Sequence, residues 1–551
     1  MRRRGITLPD GNSAFWPAAS IALMLAAHFA LAQGRAINWD EFFHYSQVHA
    51  FARGEWLQPL QTLHARVFAW ALDVPGGPVD QIVAIRMVVF GFVVATAAAI
   101  YAIARRFADQ ATSLGCAMLY LSAGFVLQHG TSFRADALIA GLLTTALAIL
   151  LRARLGPLAI IAVAALCALA TLESIKTVLY APAFAGVAWL RWSESGFDRA
   201  TLARLAAVPV AALAIFGLLY LGHAETVVTS GSSSVAAKAV VSNSGQKMFS
   251  IGGLPYYHFI AKAALLALVF AVLVVITPVI LRRTALSLPE KVAIAGLWLP
   301  ITVVGFYHNT APYFYVFILA PVAAACAPAL DIAARRYSLR AICILLVVGA
   351  LALLAIEDRR AQDNQRAVVA AAGEIFGKPV DYFDFPAMLG SWPKANHFMT
   401  PWGQDAYLAR QAPSFRETME RRTVPLVIEN SVEWERFLRT RGPSPAFLPE
   451  DVAALREGYV RYWGPLFVAG RKVAPRTAEH RSEFLVPGAY TVRGGPVRVD
   501  GQTLPPGTIV ELARGYHSIG SAGADTAYLV WGANPGRPTA AAPASGFWAD
   551  F

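Results

Sequence analysis

The sequence is poor in charge. Asp, Glu, Lys and Arg make up 15% of its 551 residues, while 56% are hydrophobic; an ordinary soluble chain carries about 25% charged residues. A deficit of this size excludes a wholly soluble protein and points to the membrane. It is concentrated before Ile356, and residues 357–551 have a soluble composition. Cysteine is scarce too. Cys116, Cys167, Cys326 and Cys343 all fall in apolar runs without metal-ligand spacing and read as packing residues. Residues 357–551 have none, and so no disulfide to form. No Walker loop, triad spacing or zinc signature appears, and His44-x4-His49 is not the zincin pattern. Acidic residues are outnumbered 35 to 47, giving a net charge of +12. Much of that excess sits in short Arg clusters between apolar runs, where it sets topology. With no RNA- or DNA-binding motif beside it, nucleic acid is not an expected partner.

What the sequence has in quantity is apolar runs approaching the roughly 17–25 residues of a membrane span. About eleven fall near 14–32, 82–104, 111–128, 137–151, 157–172, 177–190, 205–222, 258–281, 291–306, 313–330 and 341–356. The clusters Arg2 to Arg4, Arg105-Arg106, Arg152 with Arg154, Arg191 with Arg199, Arg282-Arg283 and Arg335-Arg336 occur at every second loop. Those loops are assigned to the cytoplasm. The loops at 33–81, 129–136, 173–176, 223–257 and 307–312 then face outward, as does everything after Glu357. The N-terminus has features of a signal peptide, but its apolar stretch exceeds the usual core of about 7–15 residues, so it reads as a retained first helix. The expectation is a multi-pass protein of the cell inner (plasma) membrane, with a cytoplasmic N-terminus and a periplasmic or extracytoplasmic C-terminal domain. The fold class is a polytopic α-helical membrane domain, 1–356, with a C-terminal soluble α/β plus β domain, 357–551.

Within the soluble part, about 366–480 reads as an α/β unit. Val424 to Ile428 is a buried strand, Ser431 to Arg439 a helix capped by Ser431, and Tyr459–Tyr462 with Leu466–Val468 a hairpin. About 481–535 reads as a small β domain, with turns at Pro487-Gly488, Gly494-Gly495-Pro496, Asp500-Gly501 and Pro505-Pro506-Gly507. Residues 533–551, rich in Pro, Ala and Gly, are expected to be loosely ordered. This part is either a folded cap or an acceptor-recognition surface using Trp392, Trp402, Trp434 and Trp463.

Ionisable residues near a membrane are costly, which makes them functional candidates. Asn38 to Tyr45 follow the first span. Residues 41–53 read as an amphipathic helix lying in the interface with its apolar face toward lipid. Asp40 stands at the N-terminus of that helix, as a cap or as a reactive carboxylate. Arg134 and Asp136 share a very short outer loop. Lys176 interrupts two apolar runs and needs a partner, either a phosphate or Glu173 three residues earlier. Tyr307-His308-Asn309 and Tyr313 occupy a later outer loop, where tyrosines also form an interfacial belt. The loop 223–257, with Gly231 to Ser234 and Gly252-Gly253, is expected to gate the site.

Together these features resemble the GT-C superfamily of membrane glycosyltransferases, and within it the protein O-mannosyltransferase and aminoarabinose transferase group. The resemblance rests on Asp40-Glu41-Phe42-Phe43-His44-Tyr45 in the first outer loop, Arg134 and Asp136 after span three, Ile175-Lys176 after an apolar run, and Tyr313-Phe314-Tyr315 through Pro321 entering a late span. It covers about 1–356 well and the tail only generally. It implies a sugar donor linked to polyprenyl phosphate and an acceptor glycan, lipid or protein. Lys176 and Arg134 would bind the donor phosphate. Asp40 would be the base, with Glu41 second, and Asp136 would stabilise positive charge on the sugar ring. His44, Tyr45, His308, Asn309 and Tyr313 would contact sugar or acceptor. No cofactor is certain, though a divalent cation has a place in such a site. The main alternative is a lipid or glycolipid transporter or flippase; an O-antigen-ligase-like enzyme, an oligosaccharyltransferase and a non-catalytic assembly factor are further rivals.

Overall fold

The structure, a computed structural model, describes residues 10–55, 57–227, 256–439 and 444–549. Arg2 to Arg4 and most of the expected gating loop lie outside the described residues. The first part is helical: α1 (Phe15–Gly34), α2 (Trp39–Ala52), α3 (Leu63–Val67), α4 (Pro78–Ala104), α5 (Gln110–Ser122), α6 (Gly124–His129), α7 (Ala135–Arg152), α8 (Pro157–Glu173), α9 (Ala181–Glu194), α10 (Arg199–Val227), α11 (Tyr257–Leu266), α12 (Leu268–Arg283), α13 (Leu288–Trp298), α14 (Phe314–Ala325), α15 (Ala327–Tyr337) and α16 (Leu339–Ala355). Among the described residues, five helices are long and apolar enough to cross a membrane, or up to seven if each of two bent pairs is one span. The bends are 104° between α11 and α12 and 67° between α14 and α15, where Pro328 opens the second helix. The other runs read from the sequence lie on shorter helices.

Small residues let these helices approach closely. Gly186 on α9 faces Gly296 on α13, and a Cβ at Gly296 would sit 2.5 Å from the Pro182 carbonyl. α14, buried along its whole length, packs against α4, α5, α7 and α13 and forms the centre of the domain.

α17 (Ala361–Phe376) leads into the strand-rich part and ends on Gly377 in the left-handed conformation. One sheet runs β1 (Tyr382–Phe383), β2 (Leu426–Ile428), β4 (Leu466–Val473), β11 (Ala527–Trp531), β6 (Gly488–Gly494) and β9 (Ile509–Leu512), with β3 (Tyr459–Trp463) also on β4. β1 and β2 are parallel; the other pairings are antiparallel, with Leu426 opposite Val468 and Val530 opposite Gly470. A single sheet thus passes through both segments that the sequence separates near 480. β5 (His480–Phe484), β10 (Gly515–Gly520), β7 (Val497–Val499) and β8 (Gln502–Leu504) form a second sheet. Asp500 and Gly501 both have positive φ, 47° and 80°, giving β7 and β8 the tight hairpin turn that the Asp-Gly pair favours.

Two sequence expectations are corrected. α2 does not turn its apolar face to lipid. Phe42, Tyr45 and Val48 are almost fully buried in one cluster with Ile82, Val368 and Tyr382, so protein covers them. Residues 533–549 are not loose but form a strap. Asn364 Nδ2 donates to the Ser545 carbonyl, Trp463 Nε1 to the Ala540 carbonyl and the Gly536 amide to the Ile375 carbonyl. Phe547 is buried in the cluster beneath α2, and Trp548 and Trp39 line one cleft of about 290 Å³.

Trp434 is fully buried among Phe415, Phe437 and Phe447, a core position that leaves it no acceptor to meet. Trp434→Ala is expected to lower stability by about 3–5 kcal/mol, as loss of a buried Trp does. Unfolding of the full chain in detergent measures it; a loss below 1 kcal/mol contradicts the packing.

Candidate active site

The site begins with how α2 starts. Asn38 is the N-cap. Its side chain accepts from the Glu41 amide at 3.1 Å, and its own amide donates to Glu41 Oε1 at 3.2 Å, a capping box. Asp40, in the first turn, therefore has no capping duty. The sequence reading of Asp40 as the cap is replaced by Asn38.

Glu41 is fully buried and held from three directions. Arg86 of α4 donates from Nε at 2.8 Å and Nη2 at 2.5 Å, and the Phe133 amide donates at 2.7 Å. Arg86, 2% exposed, also binds the carbonyls of Arg35 and Ala36 at 2.7 and 2.8 Å. Glu41 was expected as second base, but its carboxylate joins α2, α4 and the loop before α7. Arg86 was missed from sequence. Its signal was an arginine inside the apolar run 82–104, which needs a buried partner.

With that anchor in place, four charges meet. Asp40 forms an ion pair with Arg134, the residue after Phe133. Arg134 Nε lies 3.5 Å from Asp136, and Lys176 Nζ lies 2.8 Å from the other Asp136 oxygen. Lys176 sits in the 3-10 turn Ile175–Tyr180, which follows α8 and is opened by Ser174. Its partner is Asp136, not Glu173. Asp40 and Arg134 are each 7% exposed and Asp136 2%. The Arg134 guanidinium lies 3.3 Å over the Tyr313 ring, and the Tyr313 hydroxyl donates to Asn309 at 3.1 Å. His308 is partly exposed beside Asn309. Tyr45, expected near the acceptor, instead turns inward and donates to Gln81 of α4.

His44, one helical turn after Asp40 on α2, is partly exposed. Its Nδ1 lies 3.2 Å from His64 Nε2. Burial, then the neighbouring His64, pushes His44 well below the ordinary histidine value. Glu173 accepts from the His64 amide at 3.0 Å and lies 2.8 Å from His64 Nδ1. Glu173 was considered from sequence only as a partner for Lys176; His64 was not singled out.

Among the described residues no group of three or more His, Cys, Asp or Glu side chains is arranged to hold a metal ion. Between Asp40 and Asp136, where a divalent cation would bridge two carboxylates, the Arg134 guanidinium makes that bridge. This donor set does not fit a divalent cation.

The anchor is testable. Glu41→Ala leaves Arg86 buried without its carboxylate and is expected to cost about 3–5 kcal/mol. Unfolding in detergent measures this, and a change under 1 kcal/mol contradicts the anchoring role.

No family model matches the sequence, and no curated protein matches it. Solved structures do match in fold. ArnT from Cupriavidus metallidurans bound to undecaprenyl phosphate superposes with a TM-score of 0.52 at 13% identity, over 76% of this chain and 93% of that one. Its apo form gives 0.53 at 13% identity, over 83% and 97%. The Archaeoglobus fulgidus oligosaccharyltransferase in complex with Zn and sulfate gives 0.51 at 11% identity, over 91% and 94%. At these identities the likeness is one of fold: this chain shares the fold of ArnT and of that oligosaccharyltransferase.

Proposed function

We propose that the protein is a multi-pass membrane glycosyltransferase that moves a sugar from a polyprenyl-phosphate-linked donor to an acceptor glycan, lipid or protein at the outer face. The observation that carries this reading is the chain Asp40–Arg134–Asp136–Lys176 beneath Tyr313, on a GT-C fold. All five residues stand at helix ends rather than in mid-helix. A transporter of polar cargo would instead collect such charges near the membrane midplane. The undecaprenyl phosphate bound to ArnT, one of the similar structures, supports the donor class. The alternating Arg clusters support a cytoplasmic N-terminus and an outer C-terminal domain.

In the transfer, the acceptor oxygen attacks the anomeric carbon and its proton passes to Asp40. The bond from carbon to phosphate oxygen breaks, its electron pair leaves with polyprenyl phosphate, and the anomeric configuration inverts. The electrostatics suit this exchange. At rest, two carboxylates and two cations sum to zero. As the phosphodiester becomes a monoester it gains negative charge, while Asp40 loses its own by protonation. Arg134 is thereby released toward the phosphate beside Lys176. Asp136 keeps both cations in place and faces the positive charge that develops on the sugar ring. His308, Asn309 and Tyr313 line the sugar or acceptor side, and Glu41 positions Asp40.

Transfer from radiolabelled polyprenyl-phosphate sugars in proteoliposomes tests the reading. Asp40→Asn is expected to lower kcat by about 10²–10⁴-fold, the usual worth of a general base. Wild-type transfer by this variant removes Asp40 from the base role. Lys176→Met is expected to raise KM for the donor. Transbilayer movement of the lipid without transfer by the wild type would support the flippase instead.

A further inference from the structure

Outside the four-charge chain lies a second line of ionisable groups that the mechanism above does not use. Glu173, at the end of α8, and His64, on α3, are 4% and 3% exposed, while His44 on α2 is partly exposed. His64 is bracketed by acceptors: Glu173 Oε1 lies 2.8 Å from Nδ1 and Gln47 Oε1 lies 2.7 Å from Nε2. Glu173 thus fixes one proton on Nδ1, and a proton that arrives at Nε2 finds Gln47 as its acceptor. His44 Nδ1 reaches the same Nε2 at 3.2 Å. His44 and Asp40 stand one turn apart on one helix, and the Phe133 ring, which precedes Arg134, lies against both imidazoles.

We propose that His44, His64 and Glu173 form a proton outlet for the site, carrying away the proton that Asp40 takes from the acceptor. This rests on the transferase reading above. The proton leaves protonated Asp40, directly or through one water, and joins His44 at Nε2. His44 releases the proton on Nδ1 to His64 Nε2. His64 becomes an imidazolium, with its positive charge against the Glu173 carboxylate and its new N–H directed at Gln47, and gives that proton up to solvent water past the partly exposed Gln47. Asp40 is then an anion again and reclaims Arg134, which lets go of the departing polyprenyl phosphate. His44 is the group that touches the site; His64 and Glu173 are positioning residues that act through it. The charged and titratable groups facing this line are Lys176 from the 3-10 turn and His223 from α10, with Arg66 beyond it.

The experiment is the pH profile of transfer from a radiolabelled polyprenyl-phosphate sugar in proteoliposomes. The outlet must be deprotonated to accept a proton, so activity falls as pH drops through its value. Glu173→Gln removes the carboxylate that favours the imidazolium, so the acid limb is expected to move about one unit lower while kcat falls about tenfold or more, with KM nearly unchanged. His44→Ala is expected to lose at least about tenfold in kcat and to recover part of it with added imidazole. A Glu173→Gln variant with an unshifted acid limb, or a His44→Ala variant with wild-type kcat or no response to imidazole, overturns the outlet. If the wild type transfers and Asp40→Asn does not, that failure leaves the transferase reading standing. A wild type that transfers no sugar overturns both.

Discussion

The buried pair between Glu41 and Arg86 is the constraint on which the site depends. A guanidinium with almost no exposure is tolerable only when its donors are satisfied, and here they reach Glu41 and the carbonyls that end α1. The same carboxylate closes the capping box of α2 and accepts from the Phe133 amide. One side chain therefore sets the position of the residue before it, Asp40, and of Arg134, next to Phe133. Asp40 and Arg134 come from segments far apart in sequence, yet they meet because both are hung from the same carboxylate.

Around this anchor the charges form a balanced set. In a setting where isolated charges are costly, a neutral group of four is stable at rest. The low local dielectric that enforces the balance also makes any change in it consequential. A proton arriving at Asp40 changes what Arg134 can hold, so in the proposed transfer the proton and the phosphate are coupled through one guanidinium. That coupling needs no large motion, only a change of partner.

Much of this was legible in the sequence, for physical reasons. The change from helices to a strand-rich part was read from the shift in charge density near Ile356. Asp40, Arg134, Asp136 and Lys176 stood out because each is an ionisable residue beside an apolar run, where it needs a reason to be. Their partners were less legible, since pairing is set by tertiary contact. Lys176 and Glu173 are at helical spacing, but Ser174 breaks the helix between them, and each finds a partner on another element. Arg86 looked like part of a span. α2 looked amphipathic and was assigned to lipid, because a sequence does not say whether lipid or a folded domain covers an apolar face. In the tail, composition misled in both directions. Trp434 suggested a binding surface and proved to be core, while the Pro- and Ala-rich strap suggested looseness and proved to be held by backbone carbonyls that any sequence possesses.

The strap also has a meaning for how the molecule is made. Trp39, beside Asp40, shares a cleft with Trp548. The Ile37 amide and carbonyl are both held by Gln365 of α17. α2 is thus finished by residues far later in the sequence, Gln365 alone lying 328 positions beyond Ile37. Contacts of such long sequence separation form late. Until the strap has folded back, the apolar face of α2 has no complete cover. The Asp40 site is therefore complete only once the segment that carries the strap has been made and folded back, which ties its formation to a late step of folding.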